Sequence, residues 1–299
     1  MARALTAALL LRCGAVLAEA PPALESPPYI VYAAGDIADC TRAPPAWSGA
    51  ADTARLVEAE LALHARAAVL TLGDNVYQRG SVRAYADCYG PTWGRFKART
   101  YPAPGNHEYA TPNAAGYFGY FGSVAAHGYY SVKLGAWRVI SLDSNLKGAA
   151  HKAQMAWLEQ ELAGNGERCT LAYWHHPLYS SGGHGDVGNM RDAWQLLYRA
   201  GAELVLSGHD HNYERFAPQD ADGRHDAGRG IRQFVVGTGG AFLTPFRWPW
   251  KNSEMRDNNR TGVLKLVLRD ASYEWEFLEA AYNGFPYGQN ADRGAGRCH

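Results

Sequence analysis

The stretch YIVYAAGD, residues 29–36, decides the fold. It is an unbroken apolar run that stops at a Gly-Asp pair, the pattern of a buried strand running into a tight turn. Residues 68–74, AVLTLGD, repeat it. Between the two, residues 50–68 carry Leu56, Ala59, Leu63 and Ala67 at helical spacing, which predicts a helix packed through that face. Strand, helix and strand, with an acidic turn after each strand, form a βαβ unit and place the chain in the α/β class.

Toward the C-terminus the pattern loosens. Residues 100–104 lead to Gly105-Asn106, and residues 128–133 and 136–143 predict a hairpin around Gly135. A helix over 154–162 would pack through Met155, Leu158 and Leu162. A strand over 169–174 delivers His175; after a helix over 190–199, a strand over 202–206 delivers His209 and His211. Residues 231–236, 263–268 and 273–278 alternate enough for strands. Many short strands with few helices predict two packed sheets flanked by helices. With no internal repeat or linker to divide them, residues 29–280 read as one domain.

Residues 1–20 join Arg3, an apolar stretch and the small-x-small Ala18-Glu19-Ala20, and read as a signal peptide; an ordinary apolar helix is the alternative. Export implies a secreted or periplasmic protein with no stable membrane association after cleavage. Residues 21–28, with their prolines, form an extended lead-in, and 281–299 a C-terminal tail. Cleavage would discard Cys13 and leave Cys40, Cys88, Cys169 and Cys298, for which three connectivities exist. The preferred pairs are Cys40 with Cys88, and Cys169 with Cys298, the second tying down the tail; reduced, buried cysteine is the alternative. Lys plus Arg and Asp plus Glu both number 29, so no net field attracts a nucleic-acid polymer or an anionic membrane.

Potential metal donors recur in one order: Asp36 in GDI, Asp74 and Tyr77 in GDNVY, Asn106 in GNHE, His175 in WHHP, and His209 with His211 in GHDH. The glycines before Asp36, Asp74, Asn106 and His209 are expected to let the chain turn sharply after a strand. One Gly-Asp pair is an ordinary turn, and Asp36, Asp74 and Asn106 could each be a cap or Asx turn; Tyr77 could simply pack. The ordered assembly carries the inference. Oxygen and imidazole donors of this kind suit two hard or borderline cations sharing a carboxylate, a pair that clamps phosphate and activates water.

Over residues 29–277, and through GDI, GDNVY, GNHE, HHP and GHDHNYER (208–215), the chain resembles the calcineurin-like metallophosphoesterase superfamily and, within it, the purple acid phosphatases. The superfamily's usual D-x-H is here Asp36-Ile37-Ala38, and the absent histidine is replaced, as in the purple branch, by Tyr77. The resemblance implies a four-layer αββα sandwich of two mixed β-sheets flanked by helices. It implies Fe(3+) held by Asp36, Asp74, Tyr77 and His211, and Zn(2+), Mn(2+) or Fe(2+) held by Asp74, Asn106, His175 and His209, with Asp74 bridging. The implied reaction is hydrolysis of a small phosphorylated substrate, a phosphate monoester, by metal-activated hydroxide. Asn106, His107 and His184 are then expected to bind phosphate, with His107 and His184 protonating the leaving group; a plain loop histidine is the other reading of His184. A phosphodiesterase or nucleotide hydrolase on the same metals, and a non-catalytic metal- or phosphate-binding protein, are the alternatives.

Around these motifs, His176 is expected as a neighbour oriented by Pro177, and Asp39 as a cap. Glu108 is expected to orient His107 or to complete a turn, and the run Tyr213, Glu214, Arg215 to fix its loop by an ion pair. The loop PFRWPW (245–250) either borders the cleft or covers a sheet edge, and Arg260 is a candidate for reaching phosphate.

Overall fold

The computed structural model describes residues 26–125, 127–164, 166–185, 188–281 and 292–299; the expected signal segment 1–20 lies outside them. In chain order the strands are β1 (Tyr29–Ala34), β2 (Ala67–Leu72), β3 (Thr100–Ala103), β4 (Tyr130–Leu134), β5 (Trp137–Ser141), β6 (Cys169–Tyr173) and β7 (Leu204–Ser207). They continue as β8 (Tyr213–Phe216), β9 (Arg232–Val236), β10 (Ser253–Asp257), β11 (Gly262–Leu268), β12 (Ser272–Glu279) and β13 (Arg293–Arg297).

Two mixed sheets result. The first has the order β13-β12-β11-β1-β2-β3, with β1, β2 and β3 parallel and the other pairings antiparallel. The second runs β10-β8-β9-β7-β6-β5-β4, with β5, β6, β7 and β9 parallel. Strand alternation makes the layers. Leu171 and Tyr173 of β6, with Leu204 and Leu206 of β7, join the cluster containing Val31, Ala33 and Leu70 of the first sheet. Their neighbours Ala172 and Val205 face the other way, onto Leu158, Trp194 and Leu197 of the helices Gly148–Ala163 and Arg191–Arg199. Each fully buried Leu or Val in these layers contributes about 1.5–3 kcal/mol. The result is two mixed sheets packed together and flanked by helices, as expected.

The helix Gly49–Leu63 exists, but its packed face is Ala50, Ala54, Val57 and Leu61, while Leu63 is exposed. Small residues won because its first turn lies against the backbone of Gly239 and Gly240, with the Thr53 hydroxyl donating to the Gly239 carbonyl. The helix over 154–162 in fact begins at Gly148, and its deepest residues are Gln154 and Leu158. Two disulfides, Cys40–Cys88 and Cys169–Cys298, close the expected pairs; the second joins the start of β6 to the residue after edge strand β13. Among the described residues no helix is long and apolar enough to cross a membrane.

Candidate metal centre

Five strand ends converge. The turns after β1, β2, β3, β6 and β7 carry Asp36; Asp74 and Tyr77; Asn106; His175; and His209 with His211. Backbone bonds lace these turns together: Asp36 N–H donates to the Gly73 carbonyl at 3.1 Å, and Gly208 N–H to the His175 carbonyl at 3.0 Å.

The glycines act differently from expectation. Of the four, only Gly73 takes a positive φ; the sharp turns are made by Asp36, Asp74 and His209 themselves, at φ 58°, 47° and 72°. Asp and His tolerate this region better than most residues, at a strain on the order of 1 kcal/mol. What Gly105 and Gly208 supply is space: a Cβ on either would collide with a carboxylate oxygen, of Asp74 and Asp36 respectively.

Each carboxylate divides its labour. Asp36 Oδ2 accepts the His209 N–H at 2.7 Å, leaving Oδ1 beside Tyr77 Oη at 2.8 Å and His211 Nε2 at 3.3 Å. Asp74 Oδ1 accepts the His107 N–H at 2.8 Å, leaving Oδ2 3.2 Å from His175 Nε2 and 3.4 Å from Tyr77 Oη. His175 Nε2 also lies 3.0 Å from Asn106 Oδ1 and 3.2 Å from His209 Nδ1. Two donor sets therefore meet at Asp74.

The protons of two histidines are already committed. His175 Nδ1 donates to the Leu72 carbonyl at 2.9 Å, and His211 Nδ1 to the Phe242 carbonyl at 2.7 Å. Their Nε2 atoms are thus the ones left to face a cluster of oxygen and nitrogen acceptors, the arrangement that metal-binding histidines show. Asp36 and Asp74 are buried, and among the described residues their only ion-pair partners are histidines. The centre is short of positive charge, and a proton is drawn in where a cation would serve. Burial would push His175 down, yet Asp74 and Asp36 outweigh it and raise it to about 9. His209 moves oppositely: burial and the neighbouring His175 hold it near 2, a neutral imidazole ready to ligate. Burial, then Asp36 and Asp74, push the Tyr77 phenol well above its usual range, so its phenolate needs a cation beside it. The residues present fit a pair of metal ions.

A pocket of about 190 Å³ opens over this cluster, lined by His107, His184 and Phe242 among others. His107 Nδ1 donates to the Gln78 carbonyl at 2.6 Å, and its ring lies 4.4 Å from that of Tyr77. His184, half exposed, is gripped by Asp210, whose Oδ1 takes the His184 N–H at 2.9 Å and Nδ1 at 3.0 Å. That hydrogen bond, ahead of the opposing burial, raises the His184 pKa.

Asp210 itself escaped the sequence reading, although an acid lying between two donor histidines in GHDH was the available signal. Glu214, expected to help fix its own loop, is buried and fixes the loop that bears His184: it accepts the Ser181 N–H at 2.8 Å and the Ser181 and Ser253 hydroxyls. Arg215 forms the expected ion pair, to Asp292 at 2.7 Å. Glu108 completes a turn and does not orient His107: it accepts from Gly105 N–H at 2.7 Å, Asn75 N–H at 3.0 Å and Tyr85 at 3.1 Å, and burial followed by Asp74 raises it to about 7. Asp39 caps Thr41 N–H at 2.9 Å. His176 is a neighbour, its Nδ1 2.8 Å from Ser144 Oγ. Arg260 is engaged by Glu279, at the end of β12, and by Asp257, at the end of β10, and does not line the pocket. The loop over 245–250 buttresses the Ser181 segment through Arg247 N–H at 2.8 Å and Trp250 N–H at 2.9 Å; it does not line the pocket, whereas Phe242 does.

The chain is similar to known proteins. Purple acid phosphatase 21 of Arabidopsis thaliana is 30% identical over 162 residues, 45% of this chain and 37% of that protein. Probable purple acid phosphatase 20 of the same plant is 27% identical over 228 residues, 65% of this chain and 53% of the relative. The chain thus spans between about a third and a half of the length of these relatives. The purple acid phosphatase PPD1 of yellow lupin (Lupinus luteus) superposes with a TM-score of 0.69 at 21% identity, over 90% of this chain and 54% of that one, which shows the fold. Residues 29–213, well over half the chain and the span that holds every donor above, match the family described as Calcineurin-like phosphoesterase, and to that family the chain belongs.

Proposed function

We propose that the protein hydrolyses small phosphate monoesters at two metal ions, and that residues 29–280 form the catalytic domain. One observation carries this reading: two sets of donor atoms, Asp36, Tyr77 and His211 on one side, and Asn106, His175 and His209 on the other, meet at Asp74 Oδ2. Asp36, Asp74, Tyr77 and His211 would hold Fe(3+), for which a phenolate is a well-matched hard ligand. Asp74, Asn106, His175 and His209 would hold Zn(2+), Mn(2+) or Fe(2+). When bound, such a pair neutralises phosphate oxygens and lowers the pKa of water.

The chain's own residues do the rest. His107 and His184 line the pocket and hydrogen-bond the phosphate oxygens. Asp210 keeps a proton on His184 Nδ1 and favours the imidazolium, so the ring's other nitrogen can protonate the departing oxygen. The pocket has room for one phosphate group and the near part of its leaving group, which suits small phosphorylated substrates. Two disulfides suit an oxidising compartment, and with the N-terminal pattern they support a secreted or periplasmic protein. Matched assays on an aryl phosphate monoester, a bis-aryl diester and a nucleotide, with metal analysis of the same sample, test the reading. Monoester preference is expected; preference for the diester would overturn it.

A further inference from the structure

A second concavity, of about 390 Å³, opens beside the phosphate pocket and shares Tyr77 and Gln78 with it. One wall is Cys40 and Thr41, from the segment after β1; the other is residues 79–88, and the Cys40–Cys88 bridge joins the two walls and holds their spacing. Two guanidinium groups line it. Arg83 is neutralised by Asp87, with Nε 3.0 Å from Oδ2. Arg79 is exposed and, among the described residues, has neither an ion pair nor a side-chain hydrogen bond. An arginine with no charged partner among the described residues, two positions from Tyr77 and in a shallow, open groove that borders the phosphate pocket at Tyr77 and Gln78, is placed to meet a second anion on the same molecule.

We propose that this groove is an anion subsite in which Arg79 binds a second phosphate carried by the leaving group, so that the preferred substrates are small bisphosphorylated compounds. The proposal rests on the phosphatase reading above. It assigns selectivity to a residue outside the metal ligands, acting on the departing part of the substrate. Arg79 makes a charge-assisted, bidentate contact with that phosphate in a solvent-open groove, where salt screens it.

The test uses non-hydrolysable ligands, so it does not depend on turnover. Binding of propane-1,3-bisphosphonate and of propylphosphonate to the metal-loaded full chain is measured by calorimetry, for the wild type, Arg79→Gln and Arg79→Lys. The wild type should bind the bisphosphonate about fivefold more tightly, beyond the twofold statistical advantage of its symmetry, a factor in keeping with one exposed charged contact. Arg79→Gln should remove the fivefold preference without weakening the monophosphonate, Arg79→Lys should restore part of it, and the preference should shrink as salt rises. Equal affinities in the wild type, or a preference that survives Arg79→Gln, overturns the subsite and leaves the phosphatase reading standing. Failure of both ligands to bind overturns that reading as well.

Discussion

Asp36 Oδ2 accepts the backbone N–H of His209 at 2.7 Å, across 173 residues of chain. The first motif is thereby clamped to the last, and the remaining oxygen of Asp36 is aimed at Tyr77 and His211. Asp74 repeats the device with the N–H of His107. A carboxylate held by a backbone amide keeps its free oxygen fixed in direction, as a preorganised metal site requires.

Tyr77 tests the metal assignment directly. Its hydroxyl lies 2.8 Å from Asp36 Oδ1 and 3.0 Å from His211 Nε2. Iron-loaded wild type should show a visible charge-transfer band that Tyr77→Phe loses, read from one absorption spectrum of each protein. A colourless, fully metallated wild type would rule out a ferric phenolate.

Asn106 belongs to the other donor set. Asn106→Ala should lower bound metal from about two ions per chain to about one, keep the colour of the Tyr77 site, and reduce turnover roughly a hundredfold or more. Elemental analysis beside the assay checks this, and unchanged activity would remove Asn106 from the centre.

Asp210 is a positioning residue for His184. Asp210→Asn keeps the shape but weakens the hold on the imidazolium, so kcat should fall roughly tenfold to a hundredfold while KM changes little. A variant with wild-type kcat would show that His184 needs no such support.

The pair Arg138 and Glu167 gives a pH-dependent stability. Hydrogen bonds from Arg138, with Nη2 at 2.9 Å, hold the Glu167 carboxyl below its ordinary 4.5. A depressed carboxyl contributes stability above the unfolded value near 4.5 and loses it as pH falls through the lower folded value. Glu167→Gln should therefore be less stable by about 1 kcal/mol at pH 7, and the gap should close in acid, as urea melts at several pH values would show.

The bridge between Cys169 and Cys298 closes a loop with a sequence separation of 129. Replacing both cysteines by alanine should cost about 2–4 kcal/mol, a fall in Tm of roughly 10 °C in a chain of this size. Calorimetry with a thiol count measures it; an unchanged Tm would mean that β13 holds its edge unaided.

Local sequence made the parallel strands legible because β1 and β2 are apolar throughout and end in turns rich in donors. The edge strands β10 and β13 escaped the same reading. β10 and β13, SEMRD and RGAGR, bury neither face fully, so no apolar alternation announces them. The helix Gly49–Leu63 was legible as a helix and misread in its face, because Leu63 is on the outside and the close backbone of Gly239 and Gly240 selects small residues in its first turn.

The sequence by itself determined which donors exist, their order, and that each follows a strand, because identity and spacing are local properties of the chain. Only the tertiary structure decided which oxygen of Asp36 and of Asp74 faces the centre, that Asp210 grips His184, that Arg260 is spent on Glu279 and Asp257, and that Arg79 has no charged partner among the described residues. Those outcomes depend on contacts between segments far apart in the chain, and the packing of two sheets fixes such contacts where no local pattern can.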